Sequence, residues 1–377
     1  MKYLFILGRN SELSKEEVRA FMEKEENKIL FEKKEKNALF LETKNPIKKE
    51  VVDFLGGTIS IGEVLEEGTW KELFTKLDKK QIYLGESNKL NYLIWNFSED
   101  NSYNQISDYL KARFRSEKLK ATEKHASGFI KTQEGEEVRN LRSPNVEEEF
   151  FIFGDKNKIY FGKIIQKCDY EKIELRDTKK PVRRPELSIS PRLAKILINL
   201  SQVKQDETLL DPFCGIGVIL QESLLQNISV VGIDRDKKAI DGCKQNLIWF
   251  NFDKNKYKIL NSDSTKINLA EKFSGIATEP DLGTILKKTP TPNEAKKTLE
   301  DFEDLMIKVI NNFKKNLKPN SKIVFTSPLI RLHTGKRISC NGERISNATG
   351  IKIAPGFPID EFREGQIVGR QIFVLNR

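Results

Sequence analysis

The sequence predicts an α/β protein whose C-terminal half is a Rossmann-like, doubly wound domain preceded by an α+β region. Three features carry that expectation. The stretch 208–211 is an apolar strand that runs straight into a turn holding Gly215 and Gly217, and apolar residues then recur at helical spacing through 216–226. Two more short apolar strands follow, 230–233 and 257–260, each leading into a carboxylate, Asp234 and Asp263. Strands alternating with helical stretches build a parallel sheet with helices on its faces. The first 70 residues instead read as strand, helix, strand, strand, helix, strand, which is an α+β order.

Composition bounds the rest. At 377 residues the chain is too long for one ordinary core and fits two or three domains. With 38% apolar and 32% charged residues it reads as a soluble globular protein, and no apolar run approaches the roughly 18 residues that cross a bilayer. Residues 1–8 hold an apolar stretch without a basic start or a small-residue cleavage site, so a first strand is expected there rather than a leader. Cys168, Cys214, Cys243 and Cys340 lie far apart with no CxxC and no paired histidines. That argues against a metal site and a disulfide framework, and for a reducing, cytoplasmic setting. The net charge of +10 is uneven: residues 1–180 carry 34 Lys+Arg against 33 Asp+Glu (+1), and residues 181–377 carry 31 against 22 (+9). A basic balance suits a polyanionic partner, because side chains that neutralise phosphates release counterions; general solubility explains a modest excess about as well.

Along the N-terminal half, Ser11–Lys24 opens with cap residues and early acids and is expected as a helix. Strands are expected at 29–31 and 38–43, and a helix over 47–55 stopped by Gly56-Gly57. A strand at 90–97 and a helix over Ser102–Ser116 come next. The run 111–124 holds six basic residues, Arg113 and Arg115 among them, against Glu117 and Glu123; it suits a phosphate backbone, and a solvated helix face accounts for it too. Strands at 149–153 and 159–165 flank a turn of hairpin composition. The basic, proline-interrupted stretch around 176–185 reads as an interdomain linker.

The glycine turn invites a ligand. Gly215 and Gly217 let the backbone pass close beneath a bound group where a Cβ would clash, and the helix that follows presents free N–H groups. A lone GxG is common in core turns, so context decides. Asp234 lies 234 − 211 = 23 residues after Asp211, where a carboxylate can accept both hydroxyls of a ribose, and Arg235 follows it. Asp263, with Ser264 beside it, can accept from an adenine amino group. A dinucleotide site would want its third glycine where this chain has Leu220. Asp211, Phe213, Gly215, Gly217, Asp234 and Asp263 thus outline an adenosine-plus-amino-acid site, with Arg235 and Ser264 as neighbouring candidates.

At this point the chain resembles a known family. Leu209-Leu210-Asp211-Pro212-Phe213-Cys214-Gly215-Ile216-Gly217, followed by Gly232-Ile233-Asp234-Arg235-Asp236, resembles the class I, S-adenosylmethionine-dependent methyltransferases that modify guanine N2 in tRNA and carry a THUMP-type RNA-binding region. Further matches are Arg176-Asp177, Lys180-Pro181, the run from Ile189 to Lys195 and the run from Gly365 to Arg370, so that residues 170–377 are covered. The resemblance implies a ferredoxin-like unit over 1–70, a THUMP-type unit over 75–170, a linker over 171–188 and a class I methyltransferase domain over 189–377. It implies S-adenosylmethionine as cofactor, tRNA as partner without a membrane role, and the guanosine at position ten as leading target. It also implies that Ser190, the N-cap before Pro191, faces the methionine carboxylate; capping alone accounts for this serine as well. Whether a small activating subunit takes part is left open.

Such enzymes carry a (D/N)PP(Y/F) turn after the fourth strand, which orients the target amine and stacks on the base. Here the corresponding turn is Glu279-Pro280-Asp281-Leu282-Gly283. Glu279 keeps a carboxylate one methylene longer, Pro280 matches the first proline, Asp281 replaces the second, and Leu282 replaces the aromatic. Stacking worth about 1–3 kcal/mol is lost from that position; Phe213 and Phe273 stand nearby, with core packing the expected job of both. Lys287-Lys288 suits substrate phosphates or a solvated loop equally. Three readings compete: guanine-N2 methylation of tRNA, methylation of another exocyclic amine such as adenine N6 or cytosine N4 in DNA, and RNA binding without catalysis. The first is adopted because Glu279 retains an acceptor.

Overall fold

A computed structural model of the chain describes residues 1–98, 102–125, 129–131, 137–139, 145–155, 157–185, 188–281 and 288–377. The chain divides into two compact units: Met1–Ser11, Asn27–Asp53 and Gly57–Cys168 form one, and Glu12–Glu26, Phe54–Gly56 and Asp169–Arg377 the other.

The elements up to residue 167 are β1 (Lys2–Leu7), α1 (Ser11–Lys24), β2 (Ile29–Glu35), β3 (Ala38–Thr43), α2 (Val51–Phe54), β4 (Thr58–Gly68), α3 (Trp70–Leu77), β5 (Lys89–Ser98), α4 (Ser102–Ser116), β6 (Lys120–Glu123), β7 (Phe129–Lys131), β8 (Glu137–Arg139), β9 (Glu148–Asp155) and β10 (Lys158–Lys167). Eight strands make one sheet in the order β2-β3-β1-β4-β10-β9-β5-β6, and β7 pairs with β8. The run Phe150-Phe151-Ile152-Phe153 is apolar throughout because both faces of β9 are covered: Phe150 and Ile152 join one core with Leu110, Phe114 and Phe161, while Phe151 and Phe153 join another with Leu4 and Phe40.

Several details differ from the expectation. The segments 1–70 and 75–170, expected as two units, share a single sheet through the β4–β10 pairing. The second helix is one turn, not nine residues, since Glu50 sits at φ +67° and no helix can pass through it. The helix over the basic run stops at Ser116, Lys118 takes φ +58°, and the chain becomes strand β6. Arg113 is spent on the fold: it donates to Glu117 at 2.6 Å and to the carbonyls of Leu77 and Lys80 at 3.1 and 3.2 Å.

The second unit continues with α5 (Tyr170–Thr178), α6 (Pro191–Ser201), β11 (Thr208–Asp211), α7 (Val218–Leu225), β12 (Ser229–Asp234), α8 (Lys237–Trp249), β13 (Tyr257–Asn261), β14 (Phe273–Thr278), α9 (Pro292–Phe313), β15 (Leu317–Arg331), β16 (Arg337–Ser339), α10 (Gly342–Thr349), β17 (Lys352–Ile353), β18 (Ile359–Glu361) and β19 (Val368–Asn376). Its sheet runs β13-β12-β11-β14-β15-β19-β17; β13, β12, β11, β14 and β15 are parallel, and β19 is antiparallel to β15. This is a doubly wound α/β layer structure with β14 at the centre of the seven-strand order and β11 beside it. Leu209 and Leu210 point to opposite faces and enter different cores. Helix α7 is buried from Val218 to Leu224, which is why its sequence shows no polar stripe.

Two segments from outside the expected methyltransferase boundaries belong to this unit. Helix α1 lays Leu13 and Ala20 into the core that holds Ile196, Leu197 and Ile219. Its buried Glu17 accepts from the Gly56 N–H at 2.7 Å and the Asn199 amide at 2.8 Å, while Asn199 Oδ1 accepts from Lys24 Nζ at 3.0 Å. Burial lowers the Lys24 pKa to about 8. In the stretch expected as linker, α5 holds Arg176, whose fork donates to both oxygens of buried Glu222 at 2.9 and 3.0 Å.

Candidate active site

The C-terminal ends of the parallel strands β11, β12, β13 and β14 surround a cleft of about 680 Å³. Ligands of open α/β sheets bind at this edge because loops diverge there and helix N-termini converge. Asp211, Phe213, Gly215, Asp234, Arg235, Asp263, Ser264, Glu279, Pro280 and Asp281 all line it.

The two glycines have different jobs. Gly215 has φ +50° and a Cβ placed on it would meet no protein atom within 4 Å, so the space above it belongs to the cleft. Gly217 has φ +88° as the residue before α7, and a Cβ there would lie 2.6 Å from Cys243 Sγ. It serves the packing of the turn against α8, and it does not line the cleft. Gly232 on β12 plays a similar part: its Cβ would lie 2.5 Å from Leu220 Cδ1, so the close approach of helix and strand is made by a glycine on the strand rather than at position 220.

The carboxylates are tied down by the loops they end. Asp234 accepts the Gly215 N–H at 2.9 Å and the Asp236 N–H at 2.8 Å. A carboxylate offers about four acceptor sites, so capacity remains on the cleft side. Asp263 accepts the N–H and hydroxyl of Thr265 at 2.9 and 2.7 Å, and these bonds hold its pKa below the ordinary range. Ser264 donates its hydroxyl to the Pro212 carbonyl at 2.6 Å, so its side chain braces the loop. Asp211 is buried and accepts from the Phe213 N–H at 3.1 Å and the Thr278 hydroxyl at 2.6 Å. Burial raises its pKa to about 7 against these two bonds, and the charges of Asp234 and Glu279 add to the rise. Cys214 is buried too, and its thiol pKa lies well above the usual value, through its bond with Cys243 first and burial second. Such a thiol packs; it is no nucleophile.

At the other end of the cleft stands Glu279. Its Oε1 accepts from Arg370 Nε at 2.5 Å, and its side chain keeps 9% exposure. Its Oε2 is buried and has no hydrogen-bond partner among the described residues. Burial raises the Glu279 pKa, and the Arg370 charge opposes the rise. Pro280 is buried and Asp281 exposed at the mouth. Leu282, Gly283 and Lys287 lie outside the described residues. Phe273 is core; Phe213 is half-buried, packing against that core while lining the cleft.

Ser190 is exposed, caps α6 by accepting the Leu193 N–H at 3.2 Å, and does not line the cleft, although Ser188 and Ile189 do. Sequence reasoning missed Arg370 and the neighbouring Gln366, Ile367 and Val368 as wall residues. The run 365–370 had been singled out, but only the strand order reveals that β19, next to β15, carries Arg370 to a glutamate at the end of β14. Arg184 was missed as well; it lines the cleft and pairs with Asp236 at 2.9 Å.

Comparison with known proteins agrees with this geometry. The family model UPF0020, described as an RMKL-like methyltransferase domain, matches residues 181–328. A tRNA (guanine(10)-N2)-dimethyltransferase of Methanothermobacter thermautotrophicus is 34% identical over 131 residues, covering 35% of this chain and 38% of the relative. One of Pyrococcus abyssi is 31% identical over 170 residues, covering 44% and 49%. The chain thus spans less than half the length of these two relatives. The fold resembles the crystal structure of TrmN from Thermus thermophilus, with a TM-score of 0.53 at 12% identity over the whole of both chains. A probable tRNA (guanine(10)-N2)-dimethyltransferase of Methanothermococcus thermolithotrophicus is 31% identical over 142 residues, which is 36% of this chain and 79% of that one. With that share of a relative matched at that identity, the chain belongs to the tRNA (guanine(10)-N2)-dimethyltransferase family.

Proposed function

We propose that this protein methylates the exocyclic amino group of a guanine in tRNA, with S-adenosylmethionine as donor. The observation that carries the proposal is the buried Oε2 of Glu279, unpartnered among the described residues, on the wall of a cleft that also holds a glycine turn and carboxylates suited to an adenosyl amino acid. The open space over Gly215 is the room such a cofactor needs, and Asp234 and Asp263 have acceptor capacity for ribose hydroxyls and an adenine amine. S-adenosylmethionine supplies an electrophilic methyl group when bound.

The chain's own part is positioning. Arg370 fixes one oxygen of Glu279, which leaves Oε2 to accept a hydrogen bond from the target N–H and so orient the nitrogen lone pair. The same carboxylate, itself only 9% exposed, offsets positive charge growing on that nitrogen. Its raised pKa makes it a competent proton acceptor afterwards. Phe213 and Pro280 offer apolar surface for the base. The basic C-terminal half, the names of the relatives and four free cysteines support a tRNA substrate in the cytoplasm; the family resemblance of residues 170–377 is what supports residues 75–170 as a THUMP-type RNA-binding segment.

The test is transfer of labelled methyl groups to unmodified tRNA by the purified chain, followed by nucleoside mass spectrometry. N2-methylated or N2,N2-dimethylated guanosine is expected, together with its loss in Glu279→Gln. Cofactor binding without any transfer to tRNA would overturn the proposal.

A further inference from the structure

The β15–β16 pair carries a polar feature that neither the cofactor end of the cleft nor Glu279 uses. Arg331 and Arg337 are direct partners in this antiparallel pairing. Residues so placed project from one face with Cβ atoms about 4.5–5.5 Å apart, and like charges there destabilise a sheet. Among the described residues neither guanidinium forms an ion pair. Arg337 donates Nη2 to the Gln366 carbonyl at 2.9 Å and lies over the Phe362 ring at 4.3 Å, while its buried Nη1 has no partner among the described residues. Burial first, and Arg331 second, hold its pKa below the usual arginine value. Asp360 offsets part of this charge, and its Oδ1 is already held by Gln371 at 2.7 Å.

The pair abuts the cleft. The Arg331 N–H donates to the Ile367 carbonyl at 2.8 Å, and both Ile367 and Gln366 are cleft-wall residues. The half-buried Arg331 guanidinium keeps its donors for a phosphate, which guanidinium binds in bidentate fashion, and the held Arg337 beside it adds positive charge. A site that accepts repulsion in the free protein regains that energy when an anion arrives.

We propose that Arg331, backed by the charge of Arg337 fixed beside it, is a phosphate clamp that seizes the RNA backbone beside the target nucleotide. This rests on the tRNA reading above. It assigns to the β15–β16 arm a role in substrate capture that is separate from the chemistry at Glu279.

The experiment measures tRNA binding by the full chain across a potassium chloride series, for wild type and Arg331→Gln, with S-adenosylhomocysteine affinity by calorimetry as the check on folding. Arg331→Gln leaves the Arg337 bond to Gln366 in place. The clamp predicts that the slope of log K against log salt falls by about 1. It also predicts roughly tenfold weaker binding at low salt, an increase in KM of similar size, and kcat at saturating tRNA as in wild type. A slope and KM unchanged in Arg331→Gln would overturn it. Titration with inorganic phosphate alone separates a backbone clamp from a free-anion site: tight phosphate binding with an unchanged tRNA slope counts against the clamp. The two readings fail differently. Wild type that transfers methyl groups while the variant keeps its slope removes only the clamp; wild type that binds tRNA but transfers nothing, with the slope reduced in the variant, removes only the enzyme.

Discussion

Replacing Arg370 by methionine isolates the electrostatics of Glu279. The substitution keeps bulk on β19 and removes the cation that contacts Oε1 at 2.5 Å. Breaking one side of a buried ion pair costs about 3–5 kcal/mol while the remaining charge stays ionised. The Arg370 side chain retains 24% exposure, so solvent screening argues for the low end. Burial already raises the Glu279 pKa and Arg370 opposes that rise, so loss of the arginine moves it further up. A protonated Glu279 no longer offers the same acceptor, and the acidic limb of kcat therefore moves to higher pH in Arg370→Met. Arg370→Lys, which restores a charge without the fork, is expected to move it less. The assay is a pH–rate profile at saturating tRNA and cofactor. A limb in Arg370→Met that coincides with wild type would refute the reasoning, since it would mean that Glu279 is not the titrating acceptor or that Arg370 does not govern it.

Two further predictions concern the cofactor end. Asp211 has a folded pKa of about 7 against an ordinary value of 3.8, so the folded state holds the extra proton between these values and stability falls as pH rises through that window. Asp211→Asn should flatten this part of a melting-temperature profile, and a variant as steep as wild type from pH 4 to 7 would contradict the assignment. The two glycines should separate in experiment: Gly215→Ala is expected to weaken S-adenosylhomocysteine binding at least tenfold for a stability cost of about 1–2 kcal/mol. Gly217→Ala, facing Cys243, should show the reverse emphasis, with the larger loss in melting temperature. Calorimetry and thermal melts on both variants decide it, and equal effects on affinity would show the distinction to be false.

The sequence announced what is local. The glycine turn after β11, the carboxylates after β12 and β13, and the Ser190-Pro191 start of α6 are each set by a few consecutive residues, and each was legible as an element. What escaped notice depends on strand order or on distant partners. Nothing near Arg370 names Glu279, 91 residues earlier. Nothing around Arg113 tells a structural clamp from a phosphate contact, because the carbonyls it serves lie 33 and 36 residues away. Gly215 and Gly217 look alike in sequence because the difference between them is the presence of Cys243 above one and open space above the other.

The buried network of Glu17, Asn199 and Lys24 bears on how the molecule is made. Asn199 follows Glu17 by 182 residues. At translation speeds of about 5–20 residues per second, helix α1 waits roughly 10–40 s before its partner helix is synthesised. During that interval Leu13, Ala20 and a carboxylate destined for burial stand in water, and the second unit cannot close its core on its own contiguous stretch of chain. Nascent α1 is therefore a place where holding factors have something to hold, and where the speed of synthesis sets how long an apolar helix face stays uncovered.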